Sequence, residues 1–368
     1  MKKYDIVLVV LGQLNYDARA YNLSNALATM GYSILVISLK SESSPKYLFE
    51  HIHIEVHQSQ RLLIKWFEFW RKVKQILKNI NFDIYIGSDL YSITNVLALP
   101  KKKLVIYDSR EIYSALASLN TRRISQAIVT LIEKIALRKV DRIVVSGEYD
   151  REYLLNTKGL QKPFYIIKNL PPKLHNIDSN YLRDTYNIPA KNKIAIYQGA
   201  ILKNRGIYSF LKALKEIDNL FFVMIGENSL ETALLDFIKK NSLQDKCLIL
   251  PPIDYNELPK ITQSADFGVS LFEPVSDSYK YALPNKIFEY VNCGIPYIAT
   301  NLPAIKEVTD ATKAGILVND VYNISEIQEK INKLINNYQM YKQYAISSSN
   351  KFNYDSQYNI IKDLVLYV

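Results

Sequence analysis

The chain is short of the residues that staple small folds or hold metals. Two cysteines in 368 residues, Cys247 and Cys293, lie far apart without metal or redox spacing. That excludes a disulfide framework and predicts reduced thiols. No apolar run approaches the roughly 20 residues needed to cross a bilayer. No signal peptide is read at the amino terminus, so a cytoplasmic protein is expected. Short-period repeats and low-complexity segments are missing too, which sets aside solenoids and biased tails.

What is present suits a large globular core. Apolar residues make up 48% and charged residues 22% of the chain. At this length two domains are the default. Lys and Arg number 46 against 36 Asp and Glu, a net charge of +10. Such an excess favours anionic partners: nucleic acid, acidic lipid surfaces or phosphorylated substrates. The basic residues are spread along the chain and no nucleic-acid motif accompanies them, so no nucleic-acid partner is expected.

Short apolar runs alternate with helical stretches. "YDIVLVVL", "SILVIS", "FDIYIG", "KLVIYD", "RIVVS" and "FYIIK" read as strands, and "ARAYNLSNALATMG" as a helix ending at Gly31. Near-continuous apolar strands between helices imply a parallel sheet covered on both faces. "KNLPPKLHN" (168–176) interrupts the pattern and reads as a linker. The alternation then restarts with "KIAIYQG", "LFFVMIG", "CLIL", "FGVSL", "PYIAT" and "GILV". The expected fold is α/β, with two doubly wound, Rossmann-like parallel-sheet domains at 1–170 and 171–352. A terminal helix at 353–368 would pack back on the first. Open α/β sheets bind ligands at the carboxyl ends of their strands, so two facing sheets would enclose a cleft.

In "LPNKIFEYVNCG" (283–294), Pro284 suits the first turn of a helix and Gly294 a left-handed stop. Ile287, Phe288 and Val291 form the inward stripe, leaving Lys286 and Glu289 on the exposed side. The pair has two readings. One is a surface ion pair on a solvated helix. In the other, free N–H groups and Lys286 take a phosphate while Glu289 accepts from a ribose diol. A second anion candidate is "YQGAILKNRG" (197–206), where a strand ends at Gly199 and a loop carries Lys203 and Arg205. Arg205 can grip a phosphate through two donors. Together the two turns suggest one diphosphate held from two sides. Pro252 and Ile253, after "CLIL", are placed beside a base.

These stretches resemble the retaining glycosyltransferases of family 4, of the GT-B architecture, in a bacterial polysaccharide-type branch. "LPNKIFEYVNCGIPYIAT" is similar to that branch's signature, "YQGAILKNRG" to its phosphate loop, and "RKVDRIVVSGEYDREYL" to the segment closing its first domain. The resemblance implies transfer of a sugar from a UDP- or GDP-linked donor to a glycan or lipid-linked acceptor in cell-surface polysaccharide synthesis. It implies no metal and no other cofactor. Glu289 would bind the ribose, Lys286 and Arg205 the diphosphate, and the backbone of Leu283, Pro284 and Asn285 the phosphate and sugar. Two positions depart: Tyr281 stands where the family often has Glu, and Ala200 where a basic residue is common.

On the amino-terminal side, "GQLNYDARAY" places Gly12, Asp17 and Arg19 at the mouth of the first helix, similar to the branch's D-x-R beside the acceptor. "VIYDSREIYS" puts Asp108, Arg110 and Glu111 after a strand, similar to the family's Y-D-x-H-E, with Arg110 replacing His. The plain reading of each is a helix cap or an ion pair.

Two further stretches stand apart. "HIHIEVH" (51–57) alternates His51, His53, Glu55 and His57 on one face, and in line they span about 20 Å, too far for one ion. An exposed edge strand is expected. "RLLIKWFEFWRKVKQILKNI" (61–80) joins an aromatic face to cationic flanks, as interfacial helices do, or else packs its aromatics on the sheet. Peripheral contact with the anionic inner face of the cell membrane follows from the first reading. Two rival functions remain on the same fold: a nucleotide-sugar epimerase, and a non-catalytic sugar-nucleotide-binding partner.

Overall fold

A computed structural model of the chain describes residues 2–41, 46–57, 62–99, 103–110, 123–158, 160–174, 179–255 and 257–366. It divides into two compact units, Met1–Asn169 with Tyr354–Val368, and Leu170–Asn353.

The first unit is built on seven parallel strands: β1 (Lys3–Gln13), β2 (Ile34–Leu39), β3 (Glu50–Ile54), β4 (Asn81–Ser88), β5 (Leu104–Asp108), β6 (Arg142–Val145) and β7 (Phe164–Ile166). Their order is β3-β2-β1-β4-β5-β6-β7. Every residue of β2 is buried, as a strand covered on both faces requires. The order reverses between β1 and β4, the switch point where open sheets of this kind take their ligands. Helix Ala18–Thr29 starts where the Asp17 carboxylate accepts from Ala20 N (3.0 Å) and stops before Gly31, at φ 92°.

The histidine stretch forms an edge strand, but β3 ends at Ile54, so Glu55 and His57 lie beyond the ladder. His51 Nε2 sits 2.8 Å from Ser38 Oγ on β2, and its ring lies 4.1 Å from that of His53. Burial, and the neighbouring His53, lower the His51 pKa to about 4, so the ring is neutral at pH 7.

The terminal segment belongs to the first unit. The Gln357 amide clamps one backbone unit there, accepting from Lys168 N (2.7 Å) and donating to Lys168 O (2.9 Å). Helix Tyr358–Val365 follows, and Arg142 donates to Leu364 O (2.6 Å) at its end.

The second unit carries β8 (Lys193–Gln198), β9 (Leu220–Ile225), β10 (Cys247–Leu250), β11 (Phe267–Ser270), β12 (Tyr297–Thr300) and β13 (Gly315–Val318), all parallel, in the order β10-β9-β8-β11-β12-β13. Its switch point lies between β8 and β11. Helix Asn285–Asn292 is pinned there by Tyr290, whose hydroxyl donates to Ile196 O (3.1 Å) and Val269 O (3.2 Å). The ring needs Gly268 beneath it, since a Cβ there would meet Tyr290 Cδ2 at 2.1 Å. Among the described residues, no helix is long and apolar enough to cross a membrane.

Candidate functional site

The seating of helix Asn285–Asn292 decides what Lys286 can do. The sequence placed Lys286 on the solvent side; instead it is 8% exposed. An eight-residue helix wedged against two strands by Tyr290 has little solvent side, and Lys286 follows the helix into the switch point. Its ammonium lies 3.4 Å from the Tyr197 ring centroid and 5.9 Å from that of Phe272. Gly199 adjoins it, and its φ of 111° is what favours glycine there, since a Cβ would make only an ordinary contact of 3.6 Å with Lys286 Nζ. Arg205 approaches the same ring, its guanidinium carbon 4.2 Å from the Phe272 centroid and 4.8 Å from that of Tyr279.

The surface ion pair does not form. The Glu289 carboxylate instead accepts from Gln198 Nε2, and Gln198 Oε1 accepts from Thr262 Oγ1 (2.8 Å). Among the described residues, no carboxylate lies within ion-pair distance of Lys286 or Arg205. Burial, then the nearby Arg205 guanidinium, hold the Lys286 pKa well below its ordinary value, with Glu289 acting weakly the other way. Glu289 is pushed up by burial, against the pull of Gln198 and Lys286. Two cations backed by aromatic rings attract an anion more than a neutral ligand, because among the described residues no carboxylate pairs with them.

Of the remaining residues expected on this side, Leu283 and Pro284 are half-buried and Asn285 is exposed, leading directly into the helix. Lys203 is exposed and Ile253 half-buried. Neither is joined to the cluster by a hydrogen bond or ring contact. Gln198, Tyr197, Phe272 and Tyr279 were missed. Gln198 stands directly before Gly199 in "YQG", which is the only local signal; the rings come from three separate segments.

In the first unit, Asp17, Arg19, Asp108 and Arg110 gather into one network at the carboxyl ends of β1 and β5. Arg19 Nε donates to Asp108 Oδ1 (2.7 Å), and its Nη1 to Ile167 O (2.8 Å). Arg110 bridges Asp17 and the other Asp108 oxygen (3.4 Å for the latter). Gly12 adjoins them, since a Cβ there would lie 3.7 Å from Asp17 Oδ2. Glu111 lies outside the described residues. Burial alone would raise the Asp108 pKa, but the two guanidinium groups hold it below the ordinary carboxylate value.

Asp89 was also missed. It directly follows β4 at the switch point, in "GSDLYS", with φ 105°. Its carboxylate accepts from Ser92 N (2.6 Å) and from Leu11 N at the end of β1 (3.2 Å). Burial raises its pKa to about 6 despite Arg110. The strained backbone has no signature in a lone Asp.

The comparisons with known proteins bear on the family and the fold. Residues 178–350 match the model for glycosyl transferases group 1, and residues 18–170 that for glycosyltransferase family 4. The chain is 21% identical to the chitobiosyldiphosphodolichol beta-mannosyltransferase of Candida albicans, over 86% of this chain and 77% of that protein. Among solved structures, sucrose-phosphate synthase from Thermosynechococcus elongatus is similar at a TM-score of 0.81 and 14% identity, covering 99% of this chain and 98% of the other. Anabaena HepE in complex with UDP-glucose reaches 0.73 at 14% identity, with 98% of both chains covered. Matched in both halves, and sharing its two Rossmann-like sheets with GT-B glycosyltransferases, the chain belongs to glycosyltransferase family 4.

Proposed function

We propose that the protein is a retaining, metal-independent glycosyltransferase. It moves a sugar from a nucleotide-diphosphate donor to a glycan or lipid-linked glycan at the inner face of the cell membrane, in cell-surface polysaccharide synthesis. The observation that carries the reading is the buried Lys286 ammonium, set beside Arg205 and Phe272 against aromatic rings, while the nearby Glu289 is engaged by Gln198. A donor diphosphate supplies the counter-charge this pair lacks.

When the bond between the sugar's anomeric carbon and the phosphate oxygen breaks, its electrons pass to the diphosphate. Lys286 and Arg205 stabilise that charge without reorganising, which is where most of the barrier lowering arises. They also take over charge that a divalent ion would otherwise neutralise. Glu289, oriented by Gln198, accepts from the ribose. Retention rests on the family: the acceptor hydroxyl attacks from the departing phosphate's own side and gives that phosphate its proton. Gly12, Asp17, Arg19, Asp108, Arg110 and Glu111 are assigned to the acceptor. The lipid-linked acceptor is favoured by the Candida relative, named for transfer to a diphosphodolichol-linked sugar, and a UDP donor by the HepE complex.

NMR of UDP- and GDP-sugars incubated with the enzyme and no acceptor tests the reading. Slow release of the nucleoside diphosphate with the sugar's anomeric configuration kept is expected, and the release disappears in Lys286→Ala and Arg205→Ala. A changed sugar still attached to its nucleotide would establish an epimerase instead. No turnover, together with no thermal shift by any nucleoside diphosphate, would overturn the assignment.

A further inference from the structure

Helix Leu62–Lys78 packs into the first unit through Phe69, Val73 and Leu77. Its two indoles are committed inward as well. Trp66 donates to Tyr91 O (3.1 Å) and Trp70 to Thr94 O (3.4 Å), fastening the helix to the 3-10 segment Thr94–Ala98. That segment also touches helix Arg123–Leu137, and Lys139, just past that helix, donates to Leu97 O (3.3 Å). The three elements therefore form one continuous surface.

The outward side of this surface repeats a pattern. Along the first helix the outward stripe runs Ile64, Phe67, Arg71, Lys74, Lys78, at steps of three and four, all exposed but Lys74, which is half-buried over the Trp70 ring. Ile64 is 52% and Phe67 65% exposed, with Phe67 stacked on Trp70. Along the second helix the stripe runs Leu131, Ile135, Arg138, with Leu131 59% exposed. Leu97, itself exposed, lies on the segment that joins them. Each stripe passes from apolar to cationic and contains no carboxylate. The acids of the two helices are withdrawn: Glu68 is held by Lys72 (2.8 Å) and by His57 N (3.0 Å), and Glu133 is buried.

We infer that this face docks on an anionic lipid bilayer. Ile64, Phe67, Leu97, Leu131 and Ile135 enter the interfacial zone, and the arginine and lysine heads meet lipid phosphates. Contiguous exposed apolar residues mark an interaction site. The run of cations without a carboxylate decides the class of partner, since each cation near an acidic bilayer strengthens attachment about fivefold. Among the described residues no helix is able to span, and the surface lies in the interfacial zone of the bilayer. The inference does not depend on the transfer chemistry, because none of these residues is assigned to donor or acceptor.

Sedimentation of the full chain with vesicles tests it. The protein is expected to pellet with equimolar phosphatidylglycerol and phosphatidylcholine, not with phosphatidylcholine alone, and to be released by salt. Phe67→Asp, and separately Arg71→Glu with Lys78→Glu, should each weaken attachment by about tenfold or more, with the melting temperature and donor hydrolysis in solution unchanged. Equal binding to both vesicles, or undiminished binding by the variants, would overturn the inference. A self-association lost in Phe67→Asp, without vesicle binding, would assign the face to a second copy of the chain and also overturn it.

Discussion

The two units hold their buried cations in opposite ways. In the first, Arg19 and Arg110 converge on Asp108, and Arg110 also takes Asp17, so each guanidinium meets its own counter-charge. In the second, Lys286 and Arg205 lean on Tyr197, Phe272 and Tyr279, and a nearby carboxylate, that of Glu289, is engaged by Gln198. A buried ion pair is closed and costs stability when one partner goes. Ring-backed cations remain open to an anion from outside. The first cluster is thus closed in charge, although the Nη2 of Arg19 and that of Arg110 keep no hydrogen-bond partner, and the second leaves its charge open.

Breaking the closed network should show the largest effect. Asp108→Asn leaves Arg19 and Arg110 buried without their shared anion, and is expected to cost about 3–5 kcal/mol by chemical denaturation. The folded pKa of Asp108 is depressed, so its contribution is present above the ordinary carboxylate value and is lost as pH falls toward the folded one. A loss under about 1 kcal/mol would mean that the network is not closed. Opening the other cluster acts on chemistry instead. Lys286→Ala and Arg205→Ala should each lower kcat about 10²–10³-fold while leaving binding of the free nucleoside little changed. A KM effect alone would place both cations outside the developing charge.

Asp89 sharpens the comparison inside the first unit, because it is raised where Asp108 is lowered. Its folded pKa of about 6 exceeds the ordinary value of about 3.9, so the protonated form is favoured by folding and stability falls as pH rises through that window. The difference in stability between wild type and Asp89→Asn should shift across pH 4–6 and stay flat above it, read from urea titrations at several pH values. A difference independent of pH would show that Asp89 is ionised throughout. The smallest effect is a proton. Diphosphate binding supplies a counter-charge that raises the depressed Lys286 pKa, so UDP binding should take up a proton wherever Lys286 is neutral in the free enzyme. Calorimetry in buffers of different ionisation enthalpy reads it, and Lys286→Met abolishes it.

Most of the architecture was legible because buried parallel strands declare themselves as apolar runs. "SILVIS" and "KIAIYQG" became β2 and β8 nearly residue for residue. The histidine strand was misjudged in length, since alternation alone continues past Ile54 where pairing to β2 has ended. Leu62–Lys78 shows a different limit. Its aromatic face was visible, but which rings face inward depended on Tyr91 and Thr94 standing ready for the indoles.

The chain's own pattern of apolar runs, turns and glycines determined two doubly wound sheets, the stop at Gly294 and the residues that cluster after β8 and before Val291. Burial at Lys286 was a tertiary decision. A helical wheel assigns sides relative to an axis, whereas the sheet on one flank and the switch point on the other set which sides are wet. Tyr197 reaches Lys286, and Asp108 reaches Arg19, from segments distant in sequence. Their charges therefore acquired partners, or were denied them, only when the strands closed.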